Sequence, residues 1–370
     1  MTRLGDVCEI RYGKDHKKLS DGSIPAYGSG GIIRYVDTAI CEKPSVLIPR
    51  KGTLGNLFYT DKPFWTVDTL FWTNIDQTKI VPKYLYYQLK QKDLASYNVG
   101  TAVPSLTVEI LNEIDFEVPS IDKQKRIVEV LNSFDSKIAL NNQLNDYLEQ
   151  LCQSLFNRFD NDENNPFVKV SDIADVNPRR TLKKGEEALC IEMADLSTTG
   201  AFPTDWRTKA YNGGVKFVNG DTILARITPC LENGKAGYIN FLEQDEVAFG
   251  STEYIVLTSK GELPSEFFYF LARNEDFISY ATAHMNGSSG RQRVSGSDVG
   301  NYEVRMPSEK QISEFRKIAG NAMRVISASS IESRKLAQLR DALLPKLMSG
   351  EIDASKVELT QLTNNHLAAC

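Results

Sequence analysis

The side chains best suited to chemistry in this chain are positive and fall in loops. In the first half these are Lys14, Arg34, Arg50 and Lys51; in the second they are Arg179, Arg180, Arg226, Lys235, Arg291 and Arg293. Loop guanidinium and ammonium groups bind phosphate oxygens, and arginine also forms bidentate hydrogen bonds to guanine edges. Paired basic residues at matching places of two similar segments point to a polyanion better than scattered ones do. Tyr12, Tyr27, Tyr35 and Tyr211 lie close by in sequence and add polar tips. The formal net charge is −5, so a surface for nucleic acid must be local, with acidic residues covering the rest.

Catalytic patterns are missing. No Gly-x-Gly-x-x-Gly turn opens a helix and no Walker loop is present. His16, His284 and His366 are far apart and lack metal-ligand spacing. The six cysteines form no Cys-x-x-Cys pair, which suggests neither a zinc site nor a disulfide framework and fits a reduced, cytoplasmic setting. Residues 1–6 lack the apolar core of a signal peptide. No apolar run approaches the roughly 20 residues of a membrane span. Nothing assembles a nucleophile, a base and an oxyanion donor. The expectation is a non-enzyme with no catalytic, cofactor-binding or metal-binding residues.

The elements that carry the basic loops occur twice. Ser45-Val46-Leu47-Ile48-Pro49 reads as an apolar strand running into Arg50-Lys51, and Thr222-Ile223-Leu224-Ala225 as one running into Arg226. Phe64 to Trp72 and Ala248 to Leu257 read as the next strand of each copy. Tyr84 to Leu89 and Pro264 to Leu271 read as short helices. Gly100 to Leu106 and Gly287 to Arg293 stand at corresponding places and differ in chemistry.

Each segment leads into a long amphipathic helix, opened by Pro119-Ser120 and by Pro307-Ser308. The apolar positions of the first are Ile127, Leu131, Phe134, Ile138, Leu148, Leu151 and Leu155. Those of the second are Phe315, Ile326, Leu336, Leu339 and Leu343. From Ile127/Phe315 onward the runs keep an offset of 188 residues, the long-period self-similarity of an internal repeat. A helix of about 36 residues is roughly 54 Å long at 1.5 Å per residue, and its stripe needs a partner. The expected fold is mixed α/β (α+β): two globular domains separated by an antiparallel pair of long helices, with a pseudo-twofold internal repeat. Asn141 and Ser329 fall on the stripes at equivalent positions, either fixing register or simply exposed. Pro345 should end or kink the second helix. The expected boundaries are 1–118, 119–160, 161–306, 307–350 and a tail at 351–370.

Together these stretches resemble the specificity (S) subunit of type I restriction-modification systems. The stretches that carry the resemblance are Ser45 to Gly55, Gly100 to Leu106, Ile223 to Lys235, Phe249 to Tyr254 and Leu343 to Ile352, in that order around the helix repeat. The resemblance implies two target-recognition domains, each reading one half of a split sequence in double-stranded DNA. It implies a helix pair that acts as spacer and helps bind two modification (methyltransferase) subunits, with restriction subunits joining the larger complex. S-adenosylmethionine, and the ATP and Mg used for restriction, would then sit in those partners, and no membrane is involved. The competing reading from the residues is an adaptor whose duplicated ends bind proteins, which the acidic net charge favours. A self-sufficient methylase-nuclease is disfavoured because its cofactor loop and acidic motif are missing.

Overall fold

A computed structural model describes residues 1–100, 103–288 and 290–358. Thr101 and Ala102 of the 100–106 loop, Ser289 of the 287–293 loop and most of the 351–370 tail lie outside the described residues.

The first copy contains β1 (Thr2–Arg3), α1 (Leu4–Val7), β2 (Cys8–Tyr12), β3 (Asp21–Gly28), β4 (Gly31–Val36), β5 (Ser45–Pro49), β6 (Phe58–Thr60), β7 (Trp65–Thr66) and β8 (Leu70–Ile75). Then come α2 (Pro82–Lys90), α3 (Val108–Asn112), β9 (Asp115–Phe116) and the long α4 (Ile121–Asp160). The second copy contains β10 (Phe167–Lys169), α5 (Val170–Ile173), β11 (Ala174–Val176), β12 (Glu187–Ile191), β13 (Arg207–Ala210), β14 (Val215–Phe217), β15 (Thr222–Ala225), β16 (Ala236–Tyr238), β17 (Ala248–Gly250) and β18 (Tyr254–Ser259). It closes with α6 (Glu266–Ala272), α7 (Glu275–Ala283), α8 (Gly296–Asn301), β19 (Glu303–Arg305) and α9 (Glu309–Ser349).

The two copies share one topology. An antiparallel sheet runs β2-β8-β5-β6 in the first and β11-β18-β15-β16 in the second. A smaller sheet runs β4-β3-β7 in the first and β13-β12-β17-β14 in the second, with a parallel pair, β3 with β7 and β12 with β17, in each. All five residues of β5 and all four of β15 are buried, as a central strand covered on both faces requires. The runs Phe64–Trp72 and Ala248–Leu257 are not single strands. Each breaks, at residues 67–69 and 251–253, so that its first part joins one sheet and its second part the other.

By contacts the chain divides into two units, neither of which coincides with a boundary drawn at the helix starts. One is Met1–Asp135 with the stretch from Gln338 on; the other is Ser136–Ala337. Each therefore holds a β-rich copy plus part of α4 and part of α9. In the first unit, buried Gln124 ties α4 to its copy. Its side chain accepts from Val81 N–H at 2.7 Å and donates to the carbonyls of Lys79 and Pro119 at 3.2 and 2.8 Å. Ile127, Leu131 and Phe134 of α4 are buried, as are Leu344 and Leu347 of α9. Pro345 does not end α9, which continues to Ser349. So near the C-terminus proline removes a single intrahelical bond, and the buried Leu344, Leu347 and Met348 hold the last turn.

In the second unit α4 and α9 pack antiparallel, with the Phe159 and Phe315 rings 5.8 Å apart and Arg158 bridging to Glu314 at 3.1 Å. Leu155, Phe315, Ile326 and Leu336 are buried. Asn141 and Asn145 are buried with them. Asn141 donates to the Ser329 carbonyl (3.3 Å), Glu332 (2.8 Å) and Ser333 (3.1 Å); Ser329 Oγ donates to Asn145 at 2.6 Å. Asn141 and Ser329 are thus register-fixing contacts, since a slip would strand these groups without partners. Two expected packing residues are corrected: Leu151 and Leu339 are exposed. Cys152, one position on from Leu151, takes the buried place. Ile138, Leu148 and Leu343 are half-buried.

Candidate nucleic-acid interface

The two basic loop clusters are built on the same hydrogen-bond frame. In the first copy Arg50 N–H donates to the Thr69 carbonyl (2.8 Å) and Leu106 N–H donates to the Arg50 carbonyl (2.9 Å). In the second, Arg226 N–H donates to the Glu253 carbonyl (3.0 Å) and Val294 N–H to the Arg226 carbonyl (3.0 Å). Two further bonds repeat. Gly52 N–H to Pro104 carbonyl matches Thr228 N–H to Gln292 carbonyl, both at 3.1 Å. Val99 N–H to Ser105 carbonyl (3.0 Å) matches Asn286 N–H to Arg293 carbonyl (2.9 Å). The bridges Lys51–Ser105 and Ile227–Arg293 complete the match. The frame therefore pairs Ser105 with Arg293 and Leu106 with Val294, one residue away from the correspondence of Gly100–Leu106 with Gly287–Arg293 read in the sequence.

In the first copy Lys14, Arg50 and Lys51 come together at one end of the four-stranded sheet. Lys14 N–H donates to Thr66, Tyr12 pairs with Phe71 at the start of β8, and Arg50 lies over the Tyr12 ring at 5.2 Å. Arg50 Nη1 also donates to the Asp68 carbonyl at 3.2 Å. Arg34 sits in the smaller sheet and donates to Asp21 (2.6 Å) and the Leu19 carbonyl (3.2 Å). Asp21 is almost fully exposed, so this pair is worth at most about 1 kcal/mol and leaves Arg34 free to exchange partners.

In the second copy Arg226, Arg291 and Arg293 are brought together. Arg291 is exposed. Arg293 holds Glu253 through Nε (3.0 and 2.8 Å) and Nη2 (2.7 Å), and its Nη1 donates to the Arg291 carbonyl at 3.0 Å. The Arg293 hydrogen bonds, with a smaller contribution from the Arg226 charge, hold the Glu253 carboxyl below the usual range. Arg226 Nε is buried with no hydrogen-bond partner among the described residues. Arg179 is exposed.

Two expected contact residues are engaged within the fold. Arg180 Nη2 donates to both oxygens of Asp221 (3.0 and 3.1 Å) and to Thr258 (3.2 Å). Asp221 stands before β15, at the opposite end of that strand from Arg226. Lys235 donates to the Met193 carbonyl at 2.8 Å, fixing the turn after β12. Both positions looked like loop basics because their acceptors, a buried carboxylate and a carbonyl, are distant in sequence. Thr69, Val99, Glu253 and Asn286 are the frame residues that the sequence reading missed. The signal available was the polar interruption of two otherwise apolar runs, Val67-Asp68-Thr69 and Ser251-Thr252-Glu253.

Neutralising Arg50 and Lys51 together should lower the slope of log affinity against log salt by about 2, and neutralising Arg291 by about 1. Salt titrations of duplex binding check this. Wild-type slope and affinity in both variants would remove these loops from the interface.

Among the described residues no group of three or more His, Cys, Asp or Glu could hold a metal ion, and no helix is long and apolar enough to cross a membrane. The half-buried Glu149, whose carboxyl is pushed up by desolvation, is a strut: it accepts from Ala201 N–H (2.7 Å) and Tyr269 O–H (2.8 Å).

Residues 1–150 match the model of the type I restriction modification DNA specificity domain. The chain is 23% identical to the type I restriction enzyme MjaIX specificity subunit of Methanocaldococcus jannaschii, over 86% of this chain and 80% of that protein. It is 20% identical to the HindI specificity subunit of Haemophilus influenzae, over 74% of this chain and 78% of that one. In fold it is similar to the crystal structure of the S subunit of a type I restriction-modification system from M. genitalium. The TM-score is 0.58 at 18% identity, covering 94% of this chain and 95% of that chain.

Proposed function

We propose, from the premise that this chain belongs to the family of type I restriction specificity subunits, that it is the non-catalytic DNA reader of such a complex. It recognises a split target in double-stranded DNA and positions the methyltransferase and restriction subunits. The observation that carries this is the frame built twice on one hydrogen-bond pattern, each time with arginine at its centre and different polar chemistry around it. A constant scaffold with variable loop chemistry is what two readers of different half-sites need. Catalysis, S-adenosylmethionine, ATP and Mg belong to the partners in this reading, which act in the cytoplasm. Methylome sequencing with the gene present and deleted tests it. A split motif should lose its methylation on deletion, and an unchanged methylome would reject the reading. The adaptor alternative predicts no salt-dependent affinity for duplex DNA.

The two modification subunits need a surface, and α4 offers one in the second unit. Leu140 (60% exposed), Leu144 (43%), Tyr147 (60%) and Leu151 (50%) recur at helical spacing on one face. An apolar stripe at i, i+4, i+7, i+11 is the pattern by which a helix docks on a partner. Replacing Leu144 and Tyr147 by glutamate should leave folding intact, since both are exposed, and lower recovery of the co-expressed modification subunit by about tenfold or more. Equal recovery in a pull-down would remove the stripe from that contact.

A further inference from the structure

The duplicated frame allows the two copies to be compared position by position. Its centre is the same residue type twice: Arg50 and Arg226 have matching backbone bonds on both sides. Among the described residues neither guanidinium is held by a carboxylate. Arg50 meets a carbonyl and the Tyr12 ring, while Arg226 has a buried Nε with no hydrogen-bond partner among those residues. Two positions beside this centre differ. The residue whose carbonyl accepts from the centre's N–H is Thr69 in the first copy and Glu253 in the second, and the residue bridged to the next position is Ser105 in the first and Arg293 in the second. The small hydroxyls of the first are replaced by a carboxylate and a guanidinium joined by three hydrogen bonds.

A group kept in both copies suits what both half-sites share, the phosphate backbone. A group that changes suits what differs, the base edges. The chemistry agrees. Arginine matches guanine O6 and N7, glutamate accepts from cytosine N4, and a serine or threonine hydroxyl both donates and accepts over a shorter reach. The carboxylate of Glu253 also fixes the plane of the Arg293 guanidinium, which orients the fork and, through Nη1, the backbone that carries Arg291.

Resting on the DNA-reading function above, we infer that Arg50 and Arg226 are equivalent phosphate anchors, and that Thr69/Ser105 and Glu253/Arg293 are the specificity-determining pairs of the first and second half-sites. The order of roles is then the same in both copies: one anchor in a locked backbone, flanked by one residue from the strand break and one from the loop before the long helix.

The test writes the first copy's pair into the second. The whole complex carrying Glu253→Thr with Arg293→Ser is expressed with its modification subunit, and methylated sites are mapped. The expected result is a second half-site altered or relaxed at one or two base pairs, with discrimination there down roughly tenfold or more and the first half-site unchanged. Arg226→Gln, measured on a duplex carrying the wild-type motif, should weaken binding and lower the salt slope by about 1 while the motif stays the same. A double variant that methylates the original motif at wild-type discrimination overturns the assignment of the pair, and an Arg226→Gln protein with an altered motif overturns that of the anchor. Should the double variant fail to assemble, Arg293→Lys decides the pair. It keeps the charge but loses the fork, so a relaxed second half-site supports the inference and an unchanged one overturns it. If the wild-type complex methylates no split motif, the DNA-reading function itself fails.

Discussion

Exchanging residues 1–118 for the equivalent segment of a relative with a different target should rewrite one half of the methylated motif and leave the other half intact. The segment carries its own frame, from Lys14 through Thr69 to Leu106, and all of that frame's hydrogen bonds close within it. Each mismatched base pair costs about 1–3 kcal/mol, so three altered pairs should reduce methylation of the old site by about a hundredfold or more. The graft must respect its seam. Tyr87 donates to Asp135 of α4 at 2.5 Å, Lys83 reaches Asn132 and Asp135, and Gln124 binds the backbone at Lys79 and Val81. A donor segment lacking the lysine and tyrosine would loosen the copy from its helix and lower assembly rather than change the motif. Methylation mapping separates the two effects. A chimera that assembles and changes both halves would show that the copies do not read independently.

How much of this was legible in the sequence depended on which forces set each feature. The repeat, the buried β5 and β15 and the two long helices are written in apolar period and chain punctuation, which are local signals. The course of the strands after Phe64 and Ala248 was not. Both runs are rich in β-branched and aromatic residues, and nothing local says that Val67-Asp68-Thr69 and Ser251-Thr252-Glu253 must break so that the chain changes sheets. That break delivers Thr69 and Glu253 to the frame, so missing it hid half of the candidate site.

The helix stripes show a second limit. Leu140, Leu144, Tyr147 and Leu151 keep the same spacing as Asn141, Asn145, Leu148 and Cys152, one position behind, about 100° around the helix. By hydrophobicity alone Leu140, Leu144 and Tyr147 suit the core better than Asn141 and Asn145, and Leu151 is expected there. The structure buries most of the second and exposes the first. Asn141 and Asn145 are buried at no penalty because Ser329, Ser330, Glu332 and Ser333 of α9 satisfy them, and that complementarity lies about 190 residues away in the chain.

Arg180 carries the same lesson into a measurable quantity. Replacing it with alanine should destabilise the second copy by about 2–4 kcal/mol, without changing which sequence is read. Asp221 is fully buried, and Arg180, with 22% of its side chain exposed, supplies the positive charge in contact with it. Without the guanidinium, the carboxylate keeps hydrogen bonds from Val218 N–H (2.8 Å) and the Thr258 hydroxyl, but not its counter-charge. Breaking a fully buried pair costs about 3–5 kcal/mol, and the partial exposure of the arginine places this one at the lower end or just below it. Urea unfolding should show the loss as a lower midpoint with little change in slope. The companion change Asp221→Asn separates the causes. An amide keeps an acceptor for Val218 N–H and needs no counter-charge, so Arg180→Ala with Asp221→Asn should recover more than half of the lost stability. Were Arg180 instead a phosphate contact, the single variant would keep its stability and lose salt-dependent affinity, and the double variant would recover nothing. Unfolding and salt titration on the same two proteins decide between an arginine that holds β15 in place and one that touches DNA.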